Sequence, residues 1–134
     1  MKFSKATDYA LHTMLMLAVD ETGKPVGVQQ LADKQGVSPT YLSKILTKLA
    51  KAGMVESASG AGGGYRLTRR KEDVSFLDII HAIEGTSSLF DCGLEHGEEC
   101  LIQKVMLEAE RRMEQQLKQT KLVDLVKEMK VAAK

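Results

Sequence analysis

Residues 28 to 53, V-Q-Q-L-A-D-K-Q-G-V-S-P-T-Y-L-S-K-I-L-T-K-L-A-K-A-G, constrain the fold more than any other stretch. They read as two short helices joined by a tight turn. Leu31 and Ala32 face inward from the first, and Ala32 is small enough to let a second helix approach closely. Gly36 permits the positive φ that the turn needs, and Val37 can plug the angle between the helices. Ser38 suits the N-cap of the second helix, Pro39 its first position and Gly53 its C-terminal stop.

In the second helix Leu42, Ile45, Leu46 and Leu49 share one face, while Thr40, Lys44, Thr47 and Lys51 share the other. Tyr41, Ser43 and Lys48 lie at the flanks. A helix-turn-helix offers the N-terminal part of its second helix to base edges, so Thr40, Tyr41, Ser43 and Lys44 are the candidates for base contact. Lys48 and Lys51 lie farther along and suit phosphates.

A glycine-rich turn follows. Met54 to Ser57 and Gly64 to Thr68 read as two strands, with Gly60, Gly62, Gly63 and Gly64 at the tip. A tip with so little bulk can approach a phosphate backbone or a minor groove, with Arg66, Arg69, Arg70 and Lys71 supplying charge. The phosphate-loop pattern G-x-x-x-x-G-K-[ST] is absent, so a wing beside the helix-turn-helix is the better account. The candidate DNA-binding set is Ser38, Pro39, Thr40, Tyr41, Ser43, Lys44, Lys48, Lys51, Gly62, Gly63, Gly64, Tyr65 and Arg66.

Charge placement agrees. Net charge is only +1, yet Lys34 to Lys71 hold eight Lys or Arg and one acid, Glu56. Glu72 to Gln103 hold eight acids and no Lys or Arg. The first block suits phosphates and the second is repelled by them.

The remaining chain is expected to be helical. Ala6, Tyr9, Ala10, Leu11, Met14, Leu17 and Ala18 lie near one face of a helix over residues 4 to 20, ended by Gly23-Lys24-Pro25. Ser75 and Asp78 form a capping-box pair ahead of Leu77, Ile80 and Ile83, and that helix stops near Gly85. Leu101, Val105, Ala109, Met113 and Leu117 recur every four residues and predict a long helix whose narrow stripe suits pairing with a second copy. Thr120 is placed to cap a last helix carrying Leu122, Val123, Leu125, Val126 and Met129.

The expected fold class is mainly α: a winged helix-turn-helix domain over residues 1–85 with a small β-hairpin wing, a sensor-like loop over 86–100, and a long dimerisation helix with a C-terminal helix over 101–134. No apolar run approaches the ~20 residues of a membrane span. The N-terminus lacks a signal-peptide core, so the expected place is the cytoplasm. No nucleophile–base pair stands out, so neither an enzyme nor a small-molecule substrate is expected. The expected partners are double-stranded DNA and a second copy, and the competing reading is a winged-helix protein-interaction module without operator binding.

The chain resembles the Rrf-two-type family of bacterial transcription regulators over nearly its full length. The matching residues are Thr7-Asp8-Tyr9-Ala10, Val37-Ser38-Pro39-Thr40-Tyr41-Leu42, Gly62-Gly63-Gly64-Tyr65-Arg66-Leu67, Ile79-Ile80-His81-Ala82-Ile83-Glu84-Gly85 and Leu122-Val123-Asp124-Leu125. The resemblance implies a dimeric winged-helix regulator, usually a repressor, with the long C-terminal helix as dimer element. The family's wing often carries arginine just before the first tip glycine; here Ser59 stands there, leaving Arg66 or a backbone contact to substitute.

Several relatives of that family hold an iron–sulfur cluster with three cysteines spaced like C-x7-C-x5-C. Cys92 and Cys100 fit the first interval, but Met106 occupies the third position, where a thioether is a poor substitute for thiolate. Asp8 matches an oxygen ligand of some relatives, and His96 is a further donor. Three readings stay open: an unusual cluster or metal site built on Cys92, Cys100 and Asp8 or His96; a redox switch in which Cys92 and Cys100 form a disulfide; and two inert cysteines. No cofactor is required by these residues.

Overall fold

The computed structural model describes residues 2–91, Gly93 and residues 100–132. The elements in chain order are α1 (Lys5–Val19), α2 (Val28–Gln35), α3 (Pro39–Lys51), β1 (Val55–Ala58), β2 (Gly64–Leu67), α4 (Phe76–Glu84), α5 (Leu101–Gln119) and α6 (Leu122–Ala132).

Local chemistry sets most boundaries. Ser4 Oγ accepts the Thr7 N–H at 3.3 Å to start α1. The helix ends at Asp20, whose Oδ1 takes the Thr22 N–H at 2.9 Å, ahead of the Gly23-Lys24-Pro25 turn expected to stop it. Gly36 closes α2 with φ 67° and Gly53 follows α3 with φ 79°, the left-handed geometry expected of both. Ser38 Oγ accepts the Tyr41 N–H at 3.1 Å and Pro39 opens α3. Ser75 and Asp78 make the full capping box of α4, each at 3.0 Å.

The last expected cap needs correction. Thr120 closes α5, its hydroxyl donating to the Gln116 carbonyl at 2.9 Å. The start of α6 is satisfied by Asp124 Oδ2, which accepts the Lys121 N–H at 2.8 Å. The Thr120 carbonyl accepts the Phe76 N–H at 2.9 Å, and the Val74 carbonyl accepts the Leu122 N–H at 3.0 Å. A long-range pairing with the segment before α4 therefore decided a boundary that local propensity misplaced.

One core unites the reading helices. Ala10, Met14, Leu17 and Ala18 of α1 pack with Leu31 and Ala32 of α2, Leu42, Ile45, Leu46 and Leu49 of α3, and Ile79 of α4. Leu122 and Val126 of α6 join the same cluster, so α6 packs on the reading head. Val37 is half-buried against that cluster at the α2–α3 angle.

The long helix behaves differently. None of the 19 residues of α5 is buried. Met113 and Leu117 are half-buried on the side facing α4, where Glu114 Oε2 lies 3.8 Å from His81 Nε2. At the other end Leu101 is 74% exposed and Ile102 and Val105 are each 67% exposed. Ile102 and Met106 widen the apolar face beyond the stripe read from sequence. Among the described residues no helix is long and apolar enough to cross a membrane.

Candidate nucleic-acid interface

The fold presents α3 as expected. Leu42, Ile45, Leu46 and Leu49 are buried, which turns Thr40, Lys44, Thr47, Lys48 and Lys51 to solvent. Ser43 is half-exposed beside them. The Thr47 hydroxyl donates to the Ser43 carbonyl at 2.8 Å, leaving Thr40, Ser43 and Lys44 as the side chains nearest the helix start that face outward. Ser38 spends its oxygen on the cap, and Pro39 is half-buried at the first position.

Tyr41 is placed differently from its neighbours. Its ring meets the Tyr9 ring of α1 edge to face, with centroids 5.8 Å apart and planes at 86°. Such a pair contributes ~0.5–1.5 kcal/mol beyond burial. Tyr41 is thus braced by α1, and Tyr9 emerges as a supporting residue that the periodicity argument treated only as core. The signal was present: both tyrosines stand within the stretches that carry the family resemblance.

The hairpin pairs β1 and β2 antiparallel, Val55 opposite Leu67 and Ala58 opposite Gly64. Tyr65 also exchanges both backbone hydrogen bonds with Val26, each 2.8 Å. This seam explains one of the tip glycines, and the hairpin's own backbone explains a second. A Cβ on Gly64, whose φ is +150°, would lie 2.3 Å from the Val26 carbonyl oxygen. One on Gly63 would lie 2.4 Å from the Ala58 carbonyl oxygen. Both positions are therefore closed to a side chain unless the backbone shifts. Gly62 has neither positive φ nor a neighbour within 4 Å of its missing Cβ, so its bareness has no folding cause.

The wing's charge is partly neutralised. Arg66 Nε lies 2.7 Å from Glu56 Oε1, Arg70 Nε 3.2 Å from Glu72 Oε2, and Arg69 Nη2 3.5 Å from Asp78 Oδ2. The Lys71 ammonium reaches the Ala18 carbonyl at the end of α1 at 3.5 Å. The acids that follow the basic block in sequence thus fold back onto it. Lys44, Lys48 and Lys51 enter no ion pair within 4 Å among the described residues; the Lys48 charge is felt by the Glu84 carboxylate, which leaves Lys44 and Lys51 as the least compensated positive charge of α3.

Glu84 joins α4 to α1. Its Oε2 accepts the Thr7 hydroxyl at 2.7 Å and the Ser4 N–H at 2.8 Å. These two hydrogen bonds, the Thr7 hydroxyl foremost, hold its carboxyl below the usual glutamate range.

The proposed sensor residues are less assembled. Cys92 and His96 lie outside the described residues. Cys100 is the N-cap of α5, its Sγ accepting the Gln103 N–H at 3.4 Å. Asp8 is exposed and pairs with His12 Nδ1 at 3.2 Å. Among the described residues no group of three or more His, Cys, Asp or Glu is placed to hold a metal. With Met106 in the third position, the donor set does not fit a cluster held by cysteine thiolates alone.

Comparison with known proteins gives this geometry its context. Residues 3–128 match the family model described as "Rrf2: Iron-dependent Transcriptional regulator". The chain is 30% identical to protein rrf2 of Nitratidesulfovibrio vulgaris over 139 aligned positions, covering 100% of this chain and 93% of that protein. The structure is similar to that of CymR, the global cysteine regulator of B. subtilis, with a TM-score of 0.83 at 28% identity, covering 95% and 97% of the two chains. It is also similar to T. potens IscR, with a TM-score of 0.82 at 30% identity, covering 98% and 90%. With a match over nearly its whole length and a winged helix whose second motif helix turns its lysines outward, the chain belongs to the Rrf2 family and is a DNA-binding transcriptional regulator.

Proposed function

We propose that the protein is a cytoplasmic, homodimeric repressor that recognises its operator through α3. Thr40, Ser43 and Lys44 address base edges in the major groove, Tyr41 contributes its hydroxyl from a braced ring, and Lys48 and Lys51 meet phosphates. Ser38 and Pro39 set the start of the helix. Gly62 is the wing position that approaches the backbone, with Gly63, Gly64, Tyr65 and Arg66 shaping the hairpin around it. The observation that carries this reading is the outward face of α3, which is apolar behind and bears unpaired lysines in front. The dimer reading rests on the exposed Leu101, Ile102 and Val105 of α5.

Duplex titration at several salt concentrations tests the assignment. Replacing Lys44 by Ala should weaken the selected site more than random duplex. Replacing Lys51 by Ala should weaken both alike and lower the slope of log K against log salt by about 0.9 per protomer, about 1.8 for the dimer. Equal losses on both duplexes for both variants refute the division of labour. A folded dimer that ignores duplex at low salt would instead support the protein-interaction module.

A redox response is the second reading, favoured by Cys100. Its Sγ caps α5 by accepting the Gln103 N–H at 3.4 Å, so a change of bonding at that sulfur acts on the start of the helix. Joining Cys92 and Cys100 releases two protons and passes two electrons to a peroxide or disulfide oxidant. Operator affinity that differs between oxidised and reduced protein, and no longer differs in Cys92→Ser, supports the switch. Equal affinities in both states reject it.

A further inference from the structure

A cavity of about 330 Å³ opens between α4 and α5, within the range of small-molecule sites. Its apolar side is built from Leu77 and Ile80 of α4 and Met113 and Leu117 of α5. Glu110 and Glu114 line it from α5, one helical turn apart on the same face. Like charges at that spacing destabilise a helix by a few tenths of a kcal/mol, an unfavourable term that a cation between them removes. Glu84 adds a third carboxylate, against Lys2 and His81 as the basic groups on the lining.

The surrounding contacts hold the cavity in shape. Glu110 Oε1 accepts the Leu89 N–H at 2.9 Å, fixing the segment after Gly85 against the long helix. Glu114 stands 3.8 Å from His81 on the facing helix. Glu84 is held by Ser4 and Thr7 at the start of α1. The carboxylates of Glu110 and Glu114 thus alternate with Met113 and Leu117 along the same face of α5, so that charge and hydrocarbon line the cavity side by side.

We propose that this cavity is a binding site for a small organic cation, with its ammonium between Glu110 and Glu114 and its apolar body against Leu77, Ile80, Met113 and Leu117. A carboxylate ligand is repelled by the same carboxylates. A neutral ligand gains only the apolar contact. Because α4 belongs to the reading head and α5 has no buried residue, a ligand touching both is linked to their relative position.

The test does not depend on DNA. The full chain is titrated with benzylammonium chloride, benzyl alcohol or sodium benzoate at constant ionic strength, and the unfolding midpoint is followed. The expected result is a saturable rise with benzylammonium, a smaller one with benzyl alcohol and none with benzoate. Glu114→Gln should weaken benzylammonium roughly two- to fivefold, the range of a partly exposed ion pair. The combined Glu110→Gln and Glu114→Gln variant should erase the preference of cation over alcohol. Glu108→Gln, on the same helix but outside the cavity, should keep it. No saturable rise with the cation, an equal rise with the alcohol, or an undiminished preference in both carboxamide variants overturns the proposal.

Discussion

The tip of the wing separates two reasons for having glycine, and alanine substitution distinguishes them. In Gly64→Ala the new Cβ would sit 2.3 Å from the Val26 carbonyl oxygen and 2.4 Å from its carbon, at φ +150°. Relief requires the strand to move by about 1 Å, away from ordinary van der Waals overlap. That motion stretches both 2.8 Å hydrogen bonds between Tyr65 and Val26. Two backbone bonds at ~0.5–1.5 kcal/mol each, plus ~1–2 kcal/mol for the backbone conformation, give a loss of about 2–5 kcal/mol. For a chain of this length the midpoint of thermal unfolding should fall by on the order of 10 °C. In Gly62→Ala no atom is met and φ is not positive, so stability should be unchanged or higher by ~0.4–1 kcal/mol through the unfolded chain. Its cost should appear on DNA instead. Losing one close backbone contact of about 1.4 kcal/mol weakens duplex binding roughly tenfold. Differential scanning calorimetry and fluorescence anisotropy on labelled duplex read the two effects separately. Gly64→Ala with an unchanged midpoint refutes the packing argument, and Gly62→Ala with unchanged affinity refutes a wing tip that touches the backbone.

Three further outcomes follow from named contacts. A double-mutant cycle on Tyr9→Leu and Tyr41→Leu should give a coupling energy of ~0.5–1.5 kcal/mol in denaturant unfolding, and strict additivity would mean that the rings do not meet in solution. Val105→Glu should shift sedimentation toward the monomer, because it puts charge into the apolar face of α5; an unaltered association constant would place the dimer contact elsewhere. Glu84 has its carboxyl held below its ordinary 4.5 by the Thr7 hydroxyl and Ser4 N–H, so its contribution to stability is full above that value and is lost as pH falls through the lowered one. Glu84→Gln should therefore flatten the acid limb of the stability profile, and an identical limb in the variant would show that the latch is not formed.

What could be read in advance divides by the range of the interactions. The α2–α3 turn was legible because Gly36, Ser38, Pro39 and Gly53 act through their own backbone angles and nearest neighbours. The capping box of Ser75 and Asp78 was legible for the same reason. Thr120 was misassigned because the competing partner, the Phe76 N–H, lies far away in sequence. The glycine tip was read correctly as a turn, but its cause was not visible. Crowding by Val26 involves a residue that precedes the helix-turn-helix. The division into basic and acidic blocks also misled in part. Glu72 and Asp78 fold back onto Arg70 and Arg69, which shifts the uncompensated positive charge of the site from the wing to α3.

The long helix joins this local reading to the proposed dimer. A helix of 19 residues on its own is marginal in water, because nucleation is unfavourable and propagation returns little per residue. Its exposed ion pairs, Glu108 with Arg111 at 3.0 Å and with Arg112 at 3.4 Å, contribute a few tenths of a kcal/mol each. Its C-terminal half has support from α4 and from the Thr120 carbonyl's bond with Phe76. Its N-terminal half has Leu101, Ile102 and Val105 in solvent. Covering those three side chains is worth on the order of 5 kcal/mol per chain, far more than the ion pairs supply. On the proposed dimer, association would cover those side chains and steady the N-terminal half of α5 in the same step. In that dimer the separation of the two α3 helices on an operator would be set through α5, so whatever alters the start of α5 would act on it. Cys100 caps that start and the proposed cation site lies farther along the same helix, which places both candidate inputs on the helix proposed to set the spacing.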